Sequence, residues 1–215
     1  MSDLISGRPV RGRCVSATSG PADQALRIVI VGESAARAAV LEEGLREAGF
    51  RNLARIAETT NLLARLHSID PDVILIDLEN PSRDVLQQMF QVSRAVNRPI
   101  AMFVDHSDTE SIQASVDAGV SAYIVDGLKK ERVKPILDTC ISRFNAFARL
   151  QSEVDSAKSQ LAERKLIDRA KAIVMKAKNL SEEEAYALMR RAAMNENKKI
   201  AEIARSVITA AEFFK

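Results

Sequence analysis

The 215 residues predict an α/β fold: a five-stranded, doubly wound parallel sheet, followed by a long coiled-coil helix and a small three-helix bundle. Three observations lead there. Between Leu26 and Lys130, five short apolar runs alternate with stretches of helical spacing, the pattern of a parallel sheet covered on both faces. The last glycine is Gly127 and the last proline is Pro135, so nothing in positions 136–215 obliges a helix to stop. Within that stretch, apolar side chains recur at spacings of three and four.

Taken in order, residues 1–25 read as a flexible leader. They are rich in Ser, Gly and Pro, and Arg8, Arg11 and Arg13 are not followed by the apolar stretch of a secretory signal. The sheet domain spans 26–130. Its strands are "LRIVIV" (26–31), "LARIA" (53–57), "DVILID" (72–77), "PIAMFV" (99–104) and "AYIV" (122–125). The helix after the first strand, "SAARAAVLEEGLREAG", places Ala35, Ala39, Leu41, Leu45 and Ala48 near one face, and Gly49 ends it. In such a sheet the functional crevice lies outside the carboxyl ends of the strands. Asp77 stands at one of those ends.

Residues 131–163 are expected to form a helical coiled-coil linker. Phe147, Leu150, Val154, Ala157 and Leu161 make a short heptad seam, which points to pairing of two chains. Residues 164–215 form the bundle. In "ERKLIDRAKAIVMKAK" the residues Leu166, Ile167, Ala170, Ile173, Val174 and Ala177 fall within an arc of about 120°. The second helix opens on "SEEE", where Ser181 and Glu184 have capping-box spacing, and it continues through Ala185, Leu188, Met189 and Ala192. The third starts near Lys198 and is expected to bury Ile200, Ile203, Val207 and Phe214.

The net charge of +2 conceals an asymmetry. Residues 26–130 hold 11 Lys/Arg against 15 Asp/Glu, a balance of −4; residues 164–215 hold 12 against 7, a balance of +5. The basic tail is the part suited to a polyanion. No apolar run reaches the roughly 20 residues of a membrane span. Two cysteines, Cys14 and Cys140, make no disulfide framework, and with His67 and His106 as the only histidines no zinc cluster is expected. Nor is there a nucleophile–base pair or a glycine-rich phosphate loop, so neither an enzyme nor a bound cofactor is expected. The address implied is the bacterial cytoplasm.

The strand-end aspartate in "VILIDLEN" carries the first resemblance. Residues 26–130 resemble the receiver domain of bacterial response regulators, which implies that Asp77 matches the phosphoacceptor. Phosphotransfer there needs Mg²⁺, because a dianionic phosphoryl group approaches a carboxylate only when neutralised. The resemblance also exposes departures. Where the family holds the metal with an acidic pair after the first strand, this chain has Gly32 and Glu33. Where a hydroxyl ends the fourth strand, it has Val104; where a lysine ends the fifth, it has Asp126. The degenerate pocket Gly32, Glu33, Val104 and Asp126 implies a pseudo-receiver, with Asp126 adding like-charge repulsion. Two other readings stay open: a metal site from Asp77, Glu33, Asp105 and Asp126, and a plain structural Asp77 that caps the next helix.

The tail carries the second resemblance. "LIDRAKAIVMKAKNLSEEEAYALMRRAAMNENKKIAEIARSVI" (166–208) resembles an ANTAR domain, the RNA-binding module of transcription antiterminators. Arg169, Lys171, Lys176, Lys178, Arg190, Arg191, Lys198 and Lys199 supply cations for phosphates. Tyr186 either stacks on an unpaired base or packs in the core with its hydroxyl at the surface. Asn195 and Asn197 either read base edges or end and start helices.

The combination of degenerate receiver, coiled coil and ANTAR domain, with "RPIAMFVDHSD" (98–108) and "GVSAYIVDGL" (119–128), is similar to the NasT type of nitrate and nitrite assimilation regulators. That resemblance implies a leader messenger RNA with paired stem-loops as target. It also implies a nitrate- or nitrite-sensing, NasS-like protein as the partner that holds the regulator inactive. Two other classes compete: a phosphorylated response regulator acting on DNA or RNA through its helical end, and an adaptor whose basic tail binds an acidic protein.

Overall fold

A computed structural model describes residues 25–213. The expected leader, Cys14 and Phe214 therefore lie outside the described residues, Ala25 excepted. The described chain runs β1 (Arg27–Val31), α1 (Ala35–Glu47), β2 (Asn52–Ile56), α2 (Leu62–Ile69), β3 (Val73–Leu78), α3 (Arg83–Ala95), β4 (Ile100–Val104), α4 (Thr109–Asp117), β5 (Ala122–Val125), α5 (Lys130–Lys178), α6 (Glu182–Asn195) and α7 (Ile200–Phe213). All five strands are parallel, in the order β2-β1-β3-β4-β5. The expected five-stranded sheet and long following helix are both present.

Strand alternation divides the core of the sheet into two layers. Val29, Val31, Ile74, Ile76, Ile100, Met102 and Val104 face α2, α3 and α4, where Leu62, Leu66, Leu86, Met89 and Phe90 pack on them. Ile28, Ile30, Val73, Leu75, Ala101 and Phe103 face the other way, onto Leu41 and Leu45 of α1 and Val133, Leu137 and Cys140 of α5. Burial pushes the Cys140 thiol up to about 12, so it stays protonated and inert. The inner face of α1 differs from the expected one. Ala38, Leu41, Gly44 and Leu45 are buried, while Ala35 and Ala39 are exposed. Gly44 belongs to that face because an added Cβ would stand 2.8 Å from the Lys130 carbonyl oxygen.

Two compact units divide the chain, Met1–Phe147 and Ala148–Lys215. Pro135 sits inside α5 without ending it. In the second unit, Ala170 and Val174 of α5 pack with Ala185, Met189 and Ala193 of α6 and Ile203, Ala204 and Ile208 of α7. Four of those eight residues are alanines, which lets the helices approach closely. Leu188 and Ala177, expected inside, are exposed; Ala193 and Ile208 take up the buried positions.

The capping box is formed. The Ser181 hydroxyl accepts from the Glu184 N–H (3.3 Å) and the Glu184 carboxylate accepts from the Ser181 N–H (2.8 Å). The backbone hydrogen bond from Ser181 holds the Glu184 carboxyl below its ordinary range. A carboxyl depressed on folding stabilises above its unfolded pKa and loses that help as pH falls through the folded one. Ser181→Ala is expected to cost the second unit about 1 kcal/mol. A urea melt followed by far-UV circular dichroism checks it, and the deficit should change little in acid, because the Glu184 carboxylate keeps its bond from the backbone N–H at 181.

Candidate nucleic-acid interface and acceptor pocket

At the front, alternation along β3 and β4 decides what Asp77 meets. Val73 and Leu75 face α1, and so does Asp77 two residues on; Phe103 faces α1, and Asp105 follows it. On α1, Leu41 and Leu45 point inward, and Arg37 lies one helical turn before Leu41. The Arg37 guanidinium therefore reaches both acids. Its Nε donates to the two Asp77 carboxylate oxygens at 3.0 and 2.9 Å, its Nη2 to Asp77 Oδ1 at 2.7 Å, and its Nη1 to Asp105 Oδ1 at 2.6 Å. The Asp77 side chain is 1% exposed and that of Arg37 17%. The hydrogen bonds to Asp77, more than those to Asp105, hold Arg37 above its ordinary range against the opposing effect of burial.

Arg37, to which the sequence reading assigns no role, stands between Asp77 and Asp105 and compensates their charge. Asp126 is exposed with left-handed backbone (φ 47°), and it appears in no ion pair among the described residues. Val104 is buried in the layer facing α2–α4, on the opposite face of the sheet from Asp77. Glu33 is exposed but shares with Asp77 the lining of a cavity of about 330 Å³, together with Ser34, Glu79 and Asn80. Asp77 does not cap the next helix: the N-cap of α3 is Ser82, whose hydroxyl accepts from the Val85 N–H.

The divalent cation that a phosphorylated receiver needs does not fit these residues. Gly32 offers no carboxylate and no space for one, because a Cβ there would lie 2.9 Å from the Asp77 carbonyl oxygen. A guanidinium already covers both oxygens of Asp77. Among the described residues, no group of three or more His, Cys, Asp or Glu is placed to hold a metal ion.

In the second unit, several predicted residues converge where α6 ends and α7 begins. Glu196 caps α6 and Asn197 follows in left-handed backbone (φ 51°), with the Lys198 N–H bonding the Ala193 carbonyl at 2.9 Å. Asn tolerates that conformation better than most residues, which accounts for an asparagine at 197 on backbone grounds. The turn leaves a cleft of about 510 Å³ lined by Tyr186, Arg190, Met194, Asn197, Lys198 and Lys199, together with Ala193 and Ile200. Tyr186 is 42% exposed and Met194 74%, so the cleft presents apolar surface beside cations. Met194 is an addition: nothing in its local sequence separates it from the core methionine Met189.

By their ion pairs, the predicted cations fall into two groups. Arg169 pairs with Glu212 at 2.8 Å, Lys171 with Asp168 and Glu182 at 2.7 Å each, and Lys198 with Glu196 at 2.6 Å. The hydrogen bond to Asp168, then that to Glu182, raises the Lys171 ammonium, and Glu196 does the same for Lys198. The Arg169 and Lys198 pairs are exposed and of small worth, so a phosphate can exchange them, whereas the Lys171 side chain is half-buried between its two acids. Lys176, Lys178, Arg190, Arg191 and Lys199 are exposed and form no ion pair with a described residue. Asn195 is the last residue of α6, exposed and outside the cleft lining. Phe147, Leu150, Val154, Ala157 and Leu161, the predicted seam, are all exposed on α5.

Residues 155–208 match the ANTAR domain. The chain is 28% identical over 182 residues to the transcriptional regulatory protein PdtaR of Mycobacterium tuberculosis, covering 82% of this chain and 88% of that protein. It is 34% identical over 76 residues to the nitrate regulatory protein of Klebsiella oxytoca, covering 35% of this chain but only 19% of that protein. It is also 25% identical over 123 residues to the chemotaxis protein CheY of Pseudomonas aeruginosa, covering 56% of this chain and 99% of that protein. In chain order, a doubly wound five-stranded parallel sheet is thus followed by a helical segment that matches the ANTAR domain.

Proposed function

We propose that this protein is an RNA-binding transcription antiterminator of the NasT type, working in the bacterial cytoplasm. Its target is a leader messenger RNA with two stem-loops. By binding that fold it withholds sequence from the terminator hairpin, and the balance moves by its differential affinity for the two RNA folds. The observation that carries the reading is the cleft between α6 and α7, in the ANTAR match, where an exposed tyrosine stands beside Arg190 and Lys199. Unpaired loop bases suit an aromatic ring flanked by cations, whereas the major groove of an A-form stem is closed to side chains. The exposed seam from Phe147 to Leu161 supports pairing of two chains in the working form.

Control comes from sequestration by a nitrate-sensing, NasS-like partner and not from a phosphoryl group. The covered Asp77 and the absent acid at position 32 support this, and so does the likeness to a protein named a nitrate regulatory protein. The test is a gel shift of the full chain on a two-hairpin leader RNA, on the same RNA with altered loop bases, and on promoter DNA. Binding is expected only to the first, and addition of the sensor without nitrate should remove it. Tighter binding to DNA would favour the rival response-regulator reading. Asp77→Asn is expected to leave antitermination in cells intact, measured with a leader–reporter fusion; a null phenotype would restore phosphate to the mechanism.

A further inference from the structure

The arrangement around Arg37 says more than that a metal does not fit. One guanidinium takes both oxygens of Asp77 on β3 and one of Asp105, just after β4. These two carboxylates converge on a single point, and that point already holds a positive charge. Arg37 enters it from α1, whose position is set by Leu41 and Leu45 in the core. Such a cation cannot dissociate, is always charged and makes its contacts in a planar fork. We propose that Arg37 is the resident counter-ion of the acceptor end of the sheet: it takes the electrostatic place of a divalent cation, ties β3 to the segment after β4, and makes the site refractory to metal. The inference rests on the phosphate-independent reading above and names the residue responsible for it.

Removing the guanidinium leaves two hard oxygen ligands, with Glu33 lining the same cavity as Asp77. Mn²⁺ is the probe, titrated into full-length protein, with the free-ion paramagnetic resonance signal as readout. The wild type is expected to take up no more Mn²⁺ than Asp77→Asn. Arg37→Ala is expected to take up about one ion with a millimolar Kd, the range of sites with few charged ligands. The double variant Arg37→Ala/Asp77→Asn should lose that uptake. Arg37→Gln serves as a second, closer-sized variant. Should either single variant be unfolded, Mn²⁺ should refold it through Asp77, seen by circular dichroism.

Uptake by the wild type at Asp77 overturns the proposal, and so does failure of both Arg37 variants to gain uptake or refolding. Treatment with acetyl phosphate separates this outcome from failure of the functional reading. A phosphoryl group on Asp77 that switches on RNA binding in the wild type would sink the phosphate-independent mechanism. Metal uptake without it sinks only the role of Arg37.

Discussion

Exchanging Arg190 and Arg191 together for alanine is expected to weaken binding to the two-hairpin leader RNA by about 100-fold or more. The figure follows from two charge-assisted contacts of at least about 1.4 kcal/mol each, every such amount being tenfold. Arg190 lines the α6–α7 cleft and Arg191 is exposed next to it, and neither forms an ion pair with a described residue. Their charge is therefore available without breaking an internal contact, unlike that of Lys171. Alanine is the best helix former, so α6 should keep its helicity, which circular dichroism checks. The slope of binding against salt should fall by about one per lost phosphate contact. Unchanged affinity with an intact helix would remove this pair from the interface and move attention to Lys176 and Lys178.

Arg37→Ala should destabilise the first unit by about 3 kcal/mol, the low end of what breaking a buried pair costs, because the guanidinium keeps some exposure. The loss arises chiefly from what stays behind: the Asp77 carboxylate, 1% exposed, would lie in the interior without its cation. The chain has two tyrosines and no tryptophan, and Tyr123 on β5 is bonded to Ser107 at 3.0 Å. In a Tyr186→Phe background the tyrosine emission thus reports on the first unit alone. Its urea midpoint is expected to fall by about 2 M. Adding Asp77→Asn should recover more than half of the loss, since it removes the stranded charge, and the double-mutant cycle gives the coupling. A cost below about 1 kcal/mol, the worth of an exposed pair, would show that water reaches Asp77.

The sheet was legible because its evidence is local and repetitive. Runs such as "VILID" are too apolar for anything but a strand covered on both faces, and the spacing of turns leaves room for one helix between each pair. The capping box at Ser181 and Glu184 was equally readable, since both partners lie within four residues and on one turn. The inner face of α1 differs from the expected one at Ala35 and Ala39, because four alanines in its first two turns make several faces nearly equal in hydrophobicity. The sheet settles which face turns inward, through Leu41 and Leu45.

The apolar run alone placed Asp77 at the carboxyl end of its strand, where β3 carries it. What it could not establish was the neighbour. Arg37 is 40 positions from Asp77 and 68 from Asp105, and only the parallel pairing of β3 with β4, with α1 laid across them, brings the three side chains together. The tail divides the same way. Its basic character is a property of composition, but which cations are exposed and which are tied to Glu182, Glu196 and Glu212 depends on how α5, α6 and α7 pack. Strand period and capping are read within a few residues, whereas an ion pair between distant segments exists only once the chain has closed on itself.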